Sequence, residues 1–434
     1  MNLPISNETL NKVLHEMDID HISDATIKQC CGVAKALEDL SGTRFSHLEF
    51  GVPGLKACQI GVDAQKRALD DGVASIYPNI TGIPELKANA SEFIKAFINL
   101  DINPECIIPT VGSMQGSFNL IFQCSKLQKE KDTILYINPG FSPHMLHSYV
   151  LGINYESFDI YNYRSEKLRE KLEEYLSKGN VAALLYSNPN NPTWVCLTEE
   201  ELQIIGECAT KYDVIVLEDL AYLGMDFRTD ISKPFEAPFQ ATVANYTDNY
   251  VLMLSASKIF SYAGERISLV AFSNKLYKRE YKQLKELYGI GRMGESFALT
   301  FLYVASSGTS HSAQHAISAM MKAAVNGEYD FVGETREYAR RAHIIKGLFT
   351  KYGFNIVYDK DGDANIGDGF FFTIGYQGLD NEELLLGLLR CGISAISLKE
   401  TGSRQAGVRV CVSVLSSDQD MQLLEQRIKM FVEL

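Results

Sequence analysis

The sequence predicts an α/β protein: a largely parallel sheet flanked by helices, with a second, smaller α+β unit. Three observations predict it. Between Cys106 and Phe272, seven short apolar runs alternate with amphipathic stretches, the pattern of strands joined by crossover helices. Beyond Phe272 the order changes to helices first and strands later. Thr110, Asn188, Asp219 and Lys258 each stand at or just past the end of an apolar run, and ligands of open α/β sheets bind beyond the carboxyl ends of the strands.

The elements follow in chain order. Ile5 to Leu40 reads as helical, with Ser23-Asp24 as a cap for an apolar face of Ile27, Cys31, Ala34 and Leu37. His47 to Phe50 reads as a short strand and Gly51-Val52-Pro53-Gly54 as a loop. Helices are expected over Gln59–Leu69 and Glu85–Asn99, separated by a turn-rich segment carrying Tyr77 and Gly82. The apolar runs 106–110, 133–137, 154–160, 181–187, 214–218, 250–254 and 267–272 are the sheet strands. Thr198 followed by Glu201 is a capping-box signature. Lys275–Tyr288 and Tyr329–Tyr352 read as helices, then strands at 355–358, 370–376, 393–397 and 408–414, with helices at 382–390 and 419–432. A large domain over 55–325 and a small one over 1–54 plus 326–434 are expected.

Composition narrows the function. A net charge of −13 over 434 residues disfavours nonspecific nucleic-acid binding, which relies on lysine and arginine. No stretch is long and apolar enough for a membrane span, and Met1–Asp20 mixes acidic residues among apolar ones, unlike a secretory signal. Nine scattered cysteines without C-x-x-C suit reduced thiols in the cytoplasm.

The chemistry centres on Ser255-Ala256-Ser257-Lys258, with Arg266 eight positions later. A lysine at a buried strand end is costly unless used. Serine hydroxyls and a planar guanidinium suit a phosphate, and an activated lysine suits a Schiff base. Together they describe an anchor for pyridoxal 5′-phosphate. Asp219 ends an apolar run, where a carboxylate can stabilise a protonated pyridine nitrogen; Tyr222 lies three residues on. Asn191 sits in Asn188-Pro189-Asn190-Asn191-Pro192-Thr193, a loop stiffened by two prolines. Gly112-Ser113-Met114 opens a helix, a good place for phosphate, and Phe141 offers a stacking ring. Each of these has a plainer reading as a cap, a turn or core packing.

Taken in order, these motifs make the chain resemble the fold-type I pyridoxal-phosphate enzymes of the class I/II aminotransferase family, from about Leu48 to the C-terminus. The asparagine loop, Asp219-Leu220-Ala221-Tyr222, and Ser255-Ala256-Ser257-Lys258 with Gly264-Glu265-Arg266 carry the likeness. It implies a large domain with a mostly parallel seven-stranded sheet and an aminotransferase working on an L-amino acid and a 2-oxo acid. Lys258 is then the Schiff-base lysine, Asp219 the pyridinium partner, and Asn191 and Tyr222 the partners of the ring oxygen. Ser255, Arg266 and Gly112-Ser113-Met114 hold the phosphate, Phe141 stacks, and Tyr77 reaches a partner subunit's phosphate in a homodimer. Arg409, with Asn191 and Gly51, takes the substrate carboxylate, and Arg404 is its competitor. No metal is implied. Two departures stand out: Trp194 follows Asn-Pro-Thr where the family usually has glycine, and Ser268 replaces a frequent glycine.

The same residues serve a lyase or decarboxylase on this scaffold. A nonenzymatic regulator of this fold would carry a basic DNA-binding module, which the N-terminus lacks. Gly289-Ile290-Gly291-Arg292-Met293-Gly294 spells a dinucleotide fingerprint, but it follows a helix rather than a strand.

Overall fold

The computed structural model describes residues 3–434, so Met1 and Asn2 lie outside the described residues. The chain forms two compact units: Leu55–Pro189 with Cys196–Thr335, and Met1–Gly54 with Asn190–Val195 and Arg336–Leu434.

The larger unit is built on the seven-stranded sheet. In spatial order its strands are Ile107–Val111, Ile267–Phe272, Tyr250–Ser255, Ile215–Asp219, Val181–Ser187, Thr133–Asn138 and Asn154–Asp159. Ile267–Phe272 runs antiparallel to both neighbours, and all other pairings are parallel. The central strands are buried along their whole length, which is why their sequences are continuous apolar runs rather than alternating ones. Register aligns Ser187 with Asp219 and Asp219 with Met253, and aligns Ser255 with Ser268 and Ser268 with Thr110. The polar strand ends therefore share one edge of the sheet. Helix Glu199–Lys211 starts with the expected capping box, Thr198 with Glu201.

Two expected helices differ. Lys275–Tyr288 is two helices, Asn274–Lys278 and Lys282–Tyr288. The break is imposed by tertiary partners: Arg279 makes a two-pronged ion pair with Asp213, and Tyr281 N donates to Gly291 O. Gly289, at φ 79°, ends the second helix, so the glycine triplet is a helix terminus and loop. Tyr329–Tyr352 is also divided, into Phe331–Thr335 and Glu337–Lys351. The residues from 326 to 335 stay with the larger unit, not the smaller one as a division at 325/326 has it. The cause is Phe331, which packs against Phe93, Phe97 and Phe260.

The smaller unit holds an antiparallel sheet in the order Ile396–Ser397, Val408–Cys411, Phe371–Gly375, Asn355–Ile356. The expected 393–397 strand is split: Ile393–Ser394 pairs with Ser46–His47, and Ile396–Ser397 pairs with Arg409 and Val408. Asn7–Glu16 and Ile27–Ser41 are separate helices, capped by Ser6 and Thr26 rather than Ser23-Asp24. Thr26 wins because Gln29 completes a capping box with it. Segment Asn190–Val195 belongs to this unit, where the Trp194 indole is fully buried.

Candidate active site

In the larger unit, Ser255 ends its strand and caps the short helix Ala256–Ile259, its Oγ accepting from Ser257 N at 3.2 Å. Lys258 lies one step further along that helix and is half-buried. Across the sheet edge, helix Gly112–Cys124 begins directly from its strand. Its N-cap position is Val111, whose side chain cannot accept from the first turn, so the N–H groups of that turn are directed at whatever binds there. Gly112 has φ 68°, and a Cβ added to it would lie 2.5 Å from Arg266 Nη2. Only glycine lets the guanidinium lie against this turn. Arg266 is steadied by donating from Nη1 to Ala263 O at 3.0 Å. Ser113 and Met114 complete the turn and are half-buried.

Asp219 is 5% exposed. Its Oδ1 accepts from Ala221 N at 3.1 Å, and its backbone oxygen accepts from Asn188 N at 3.0 Å. Burial pushes its carboxyl from 3.8 up to about 7, opposed by the Ala221 N–H. His144 Nε2 lies 3.8 Å from Asp219 Oδ2. This is not an ion pair, because burial drives the imidazole down to about 3 and keeps it neutral. Phe141 packs edge-on against His144 at 5.2 Å. Tyr222 is buried on the turn that follows Asp219. The structure thus gathers Phe141 and Asp219 through His144, a residue the sequence reading missed; a histidine inside a helix, even with His147 three positions on, matches no motif. Beside Asp219, Glu218 is fully buried and raised to about 7 by burial, while accepting from Tyr186, Thr242 and Val243.

Asp219's burial makes a prediction for the cofactor-free protein. Between about pH 4 and 7 the folded chain keeps a proton on Asp219 that the unfolded chain has lost, so stability falls as pH rises through that window and levels off above it. Glu218 adds to the fall. Asp219→Asn removes Asp219's share, and denaturant unfolding at pH 8 is expected to show the cofactor-free variant more stable by on the order of 2 kcal/mol. Equal stability at pH 8 contradicts this.

Tyr77 is 92% exposed. With Ser310 and His311 it lines a cavity of about 640 Å³ whose lining includes none of the residues above.

In the smaller unit, Arg409 is 2% exposed. Its Nη1 donates to Asn191 Oδ1 at 3.2 Å and its Nη2 to Glu49 O at 2.5 Å. The guanidinium lies over the Phe371 ring, 4.7 Å from its centroid, and Gly51 is its close neighbour: a Cβ there would make ordinary contact at 3.9 Å with both terminal nitrogens. Arg404, the competitor, is exposed. Glu49 is itself buried, held by His47 Nδ1 at 2.7 Å and by Ser394 Oγ.

With this geometry in place, comparison with known proteins decides the family. The family model "Aminotransferase class I and II" matches residues 50–426. The chain belongs to the class I and II aminotransferase family. Relatives include a probable aspartate aminotransferase of Methanocaldococcus jannaschii, 25% identical over 64% of this chain and 69% of its own. Another is aromatic-amino-acid aminotransferase 2 of Thermococcus litoralis, 24% identical over 58% of this chain and 62% of its own. A solved double mutant of Thermus thermophilus aspartate aminotransferase shares the fold, with a TM-score of 0.74 at 20% identity, covering 94% of this chain and 96% of the other. This aminotransferase therefore has the fold-type I architecture, depends on pyridoxal phosphate and transfers amino groups. The residues present fit that cofactor. A helix start with a glycine cradle against an arginine suits a phosphate. A deeply buried carboxylate with one backbone donor suits a cationic ring nitrogen, whose charge would restore its ionised form. Among the described residues, no helix is long and apolar enough to cross a membrane.

Proposed function

We propose that this aminotransferase moves the amino group of an L-amino acid to a 2-oxo acid with Lys258 as its proton-transfer residue. The observation that carries this reading is the shared sheet edge at which Asp219, Ser255-Lys258 and the Gly112 turn with Arg266 converge. Bound there, the cofactor supplies an electron sink for negative charge developing at the substrate Cα. Asp219 holds the ring nitrogen in its protonated form, and Tyr222 and Asn191 donate to the ring oxygen. Arg266, Ser255 and the Gly112-Ser113-Met114 turn hold the phosphate, and Phe141 covers the ring. Lys258 Nζ takes the proton from the substrate Cα. Arg409 grips the α-carboxylate with its planar fork, aided by Asn191, with Gly51 beside it.

The test is amino-group transfer itself. With a panel of L-amino acids and 2-oxo acids, formation of a new amino acid is expected. Release of ammonia or carbon dioxide with no amino acid formed would replace this reading by a lyase or decarboxylase.

The working form is proposed to be a homodimer in the cytoplasm. Tyr77, the residue expected to reach a partner's phosphate, is open to solvent and lines a cavity with Ser310. Scattered thiols, seven of the nine buried in the fold, suit a reducing compartment. Refolding Lys258→Ala together with Tyr77→Ala is expected to recover activity that neither variant has alone, because one site of the mixed dimer keeps both residues. No recovery above the single variants contradicts action across the dimer.

A further inference from the structure

Trp194 occupies a backbone position that disfavours it. Its φ is 66°, the left-handed region that side chains with a Cβ rarely adopt. Yet the indole is fully buried, so the surroundings hold it there. They do so through a matched gap: a Cβ on Gly369 would fall 2.0 Å from Trp194 Cε2. Gly369 is thus a hole shaped for this one ring. The indole meets the edge of Phe371, centroids 6.3 Å apart and planes at 63°. The Phe371 ring in turn lies under the Arg409 guanidinium. Trp194 N also closes its own loop on Asn190 O at 2.9 Å. Asn190 Oδ1 accepts from Thr193 N and Oγ1 at 3.1 and 2.7 Å, and the neighbouring Asn191 accepts from Arg409. Trp194 therefore reaches Arg409 by two routes, through the Phe371 ring beneath it and through the loop that presents Asn191.

We propose that Trp194, seated in the Gly369 gap, is a positioning residue that fixes the Arg409 fork for the α-carboxylate of the substrate. The proposal rests on the reading of Arg409 as the carboxylate partner. An arginine fork gains from two parallel hydrogen bonds only when its plane is held, and Phe371 and Asn191 hold that plane from below and from the side. Without the indole, Phe371 loses the ring packed against its edge, and the loop keeps only its backbone and Asn190–Thr193 bonds. Trp194 touches no reacting atom, so its effect falls on carboxylate binding and not on proton transfer.

The test compares steady-state kinetics of the cofactor-loaded enzyme with Trp194→Ala, Trp194→Phe, Gly369→Ala and Arg409→Lys, using the best amino acid and a carboxylate-free primary amine. Trp194→Ala is expected to raise KM for the amino acid about tenfold with kcat within about twofold, since a misplaced binding group costs affinity. Reaction with the amine is expected to be unchanged. Trp194→Phe is expected to recover most of the KM, and Gly369→Ala, which pushes the ring out without removing it, to repeat the Trp194→Ala effect. Gly369→Ala also decides the matter if Trp194→Ala fails to fold. Unchanged KM in Trp194→Ala and Gly369→Ala, or equal losses with amino acid and amine, overturns the proposal while Arg409→Lys still raises KM. An unchanged KM in Arg409→Lys overturns the carboxylate reading itself, and this inference with it.

Discussion

Replacing Lys258 with alanine is expected to lower kcat/KM by about a thousandfold or more while leaving the fold intact. The side chain is half-buried and sits in a four-residue helix, while the packing there is carried by Ala256, Ile259 and Phe260. Loss of the ε-amine removes the group proposed to take the Cα proton, and no second lysine stands in the Ser255–Arg266 segment to replace it. Rate assays on the cofactor-loaded variant measure the first effect. Far-UV circular dichroism measures the second, and dialysis followed by intact mass after borohydride reduction is expected to show the cofactor lost rather than retained covalently. A small primary amine added to the assay is expected to restore part of the rate. Undiminished turnover in Lys258→Ala would remove the lysine from the mechanism.

Asp219→Asn is expected to lower kcat by roughly a hundred- to a thousandfold. Losing the charge opposite a buried cationic nitrogen costs about 3–5 kcal/mol, and a factor of ten in rate corresponds to about 1.4 kcal/mol. The amide keeps the shape and the Ala221 contact at Oδ1, so cofactor loading is expected to weaken far less than turnover. The same substitution is predicted to stabilise the cofactor-free chain at pH 8, because a buried carboxylate raised to about 7 is costly to keep ionised there. Stability and activity thus respond to one atom change with opposite signs, the signature of a site held ready for a partner charge. A drop in both together would mean that Asp219 serves the fold and not the ring.

What could be read in the sequence, and what could not, follows from the range of the interactions. The central sheet strands were legible because burial on both faces leaves continuous apolar runs, and the positions of Asp219 and Ser255 were legible because each closes such a run with a polar residue, Lys258 following three positions after Ser255. The Thr198–Glu201 cap was legible because it is local. The helix break at Tyr281 was not, because it is made by Asp213 and Gly291, far off in the chain or across a turn. His144 was not, since its meaning comes from Asp219, brought near only by the folded sheet edge. Trp194 was visible as an odd residue, but its match with Gly369 exists only in three dimensions. The small unit's strands were the least well bounded, because Ile393–Ser397 serves two different partners within five residues.

The visible absorption spectrum of the purified protein loaded with pyridoxal phosphate, recorded before and after adding L-amino acids, tests the central claim most directly. A visible band that bleaches with an amino acid, returns on adding a 2-oxo acid, and is altered in Lys258→Ala is the predicted result. A band that forms through Lys258 but never responds to any amino acid, or a protein that binds the cofactor equally well without Lys258, would contradict it.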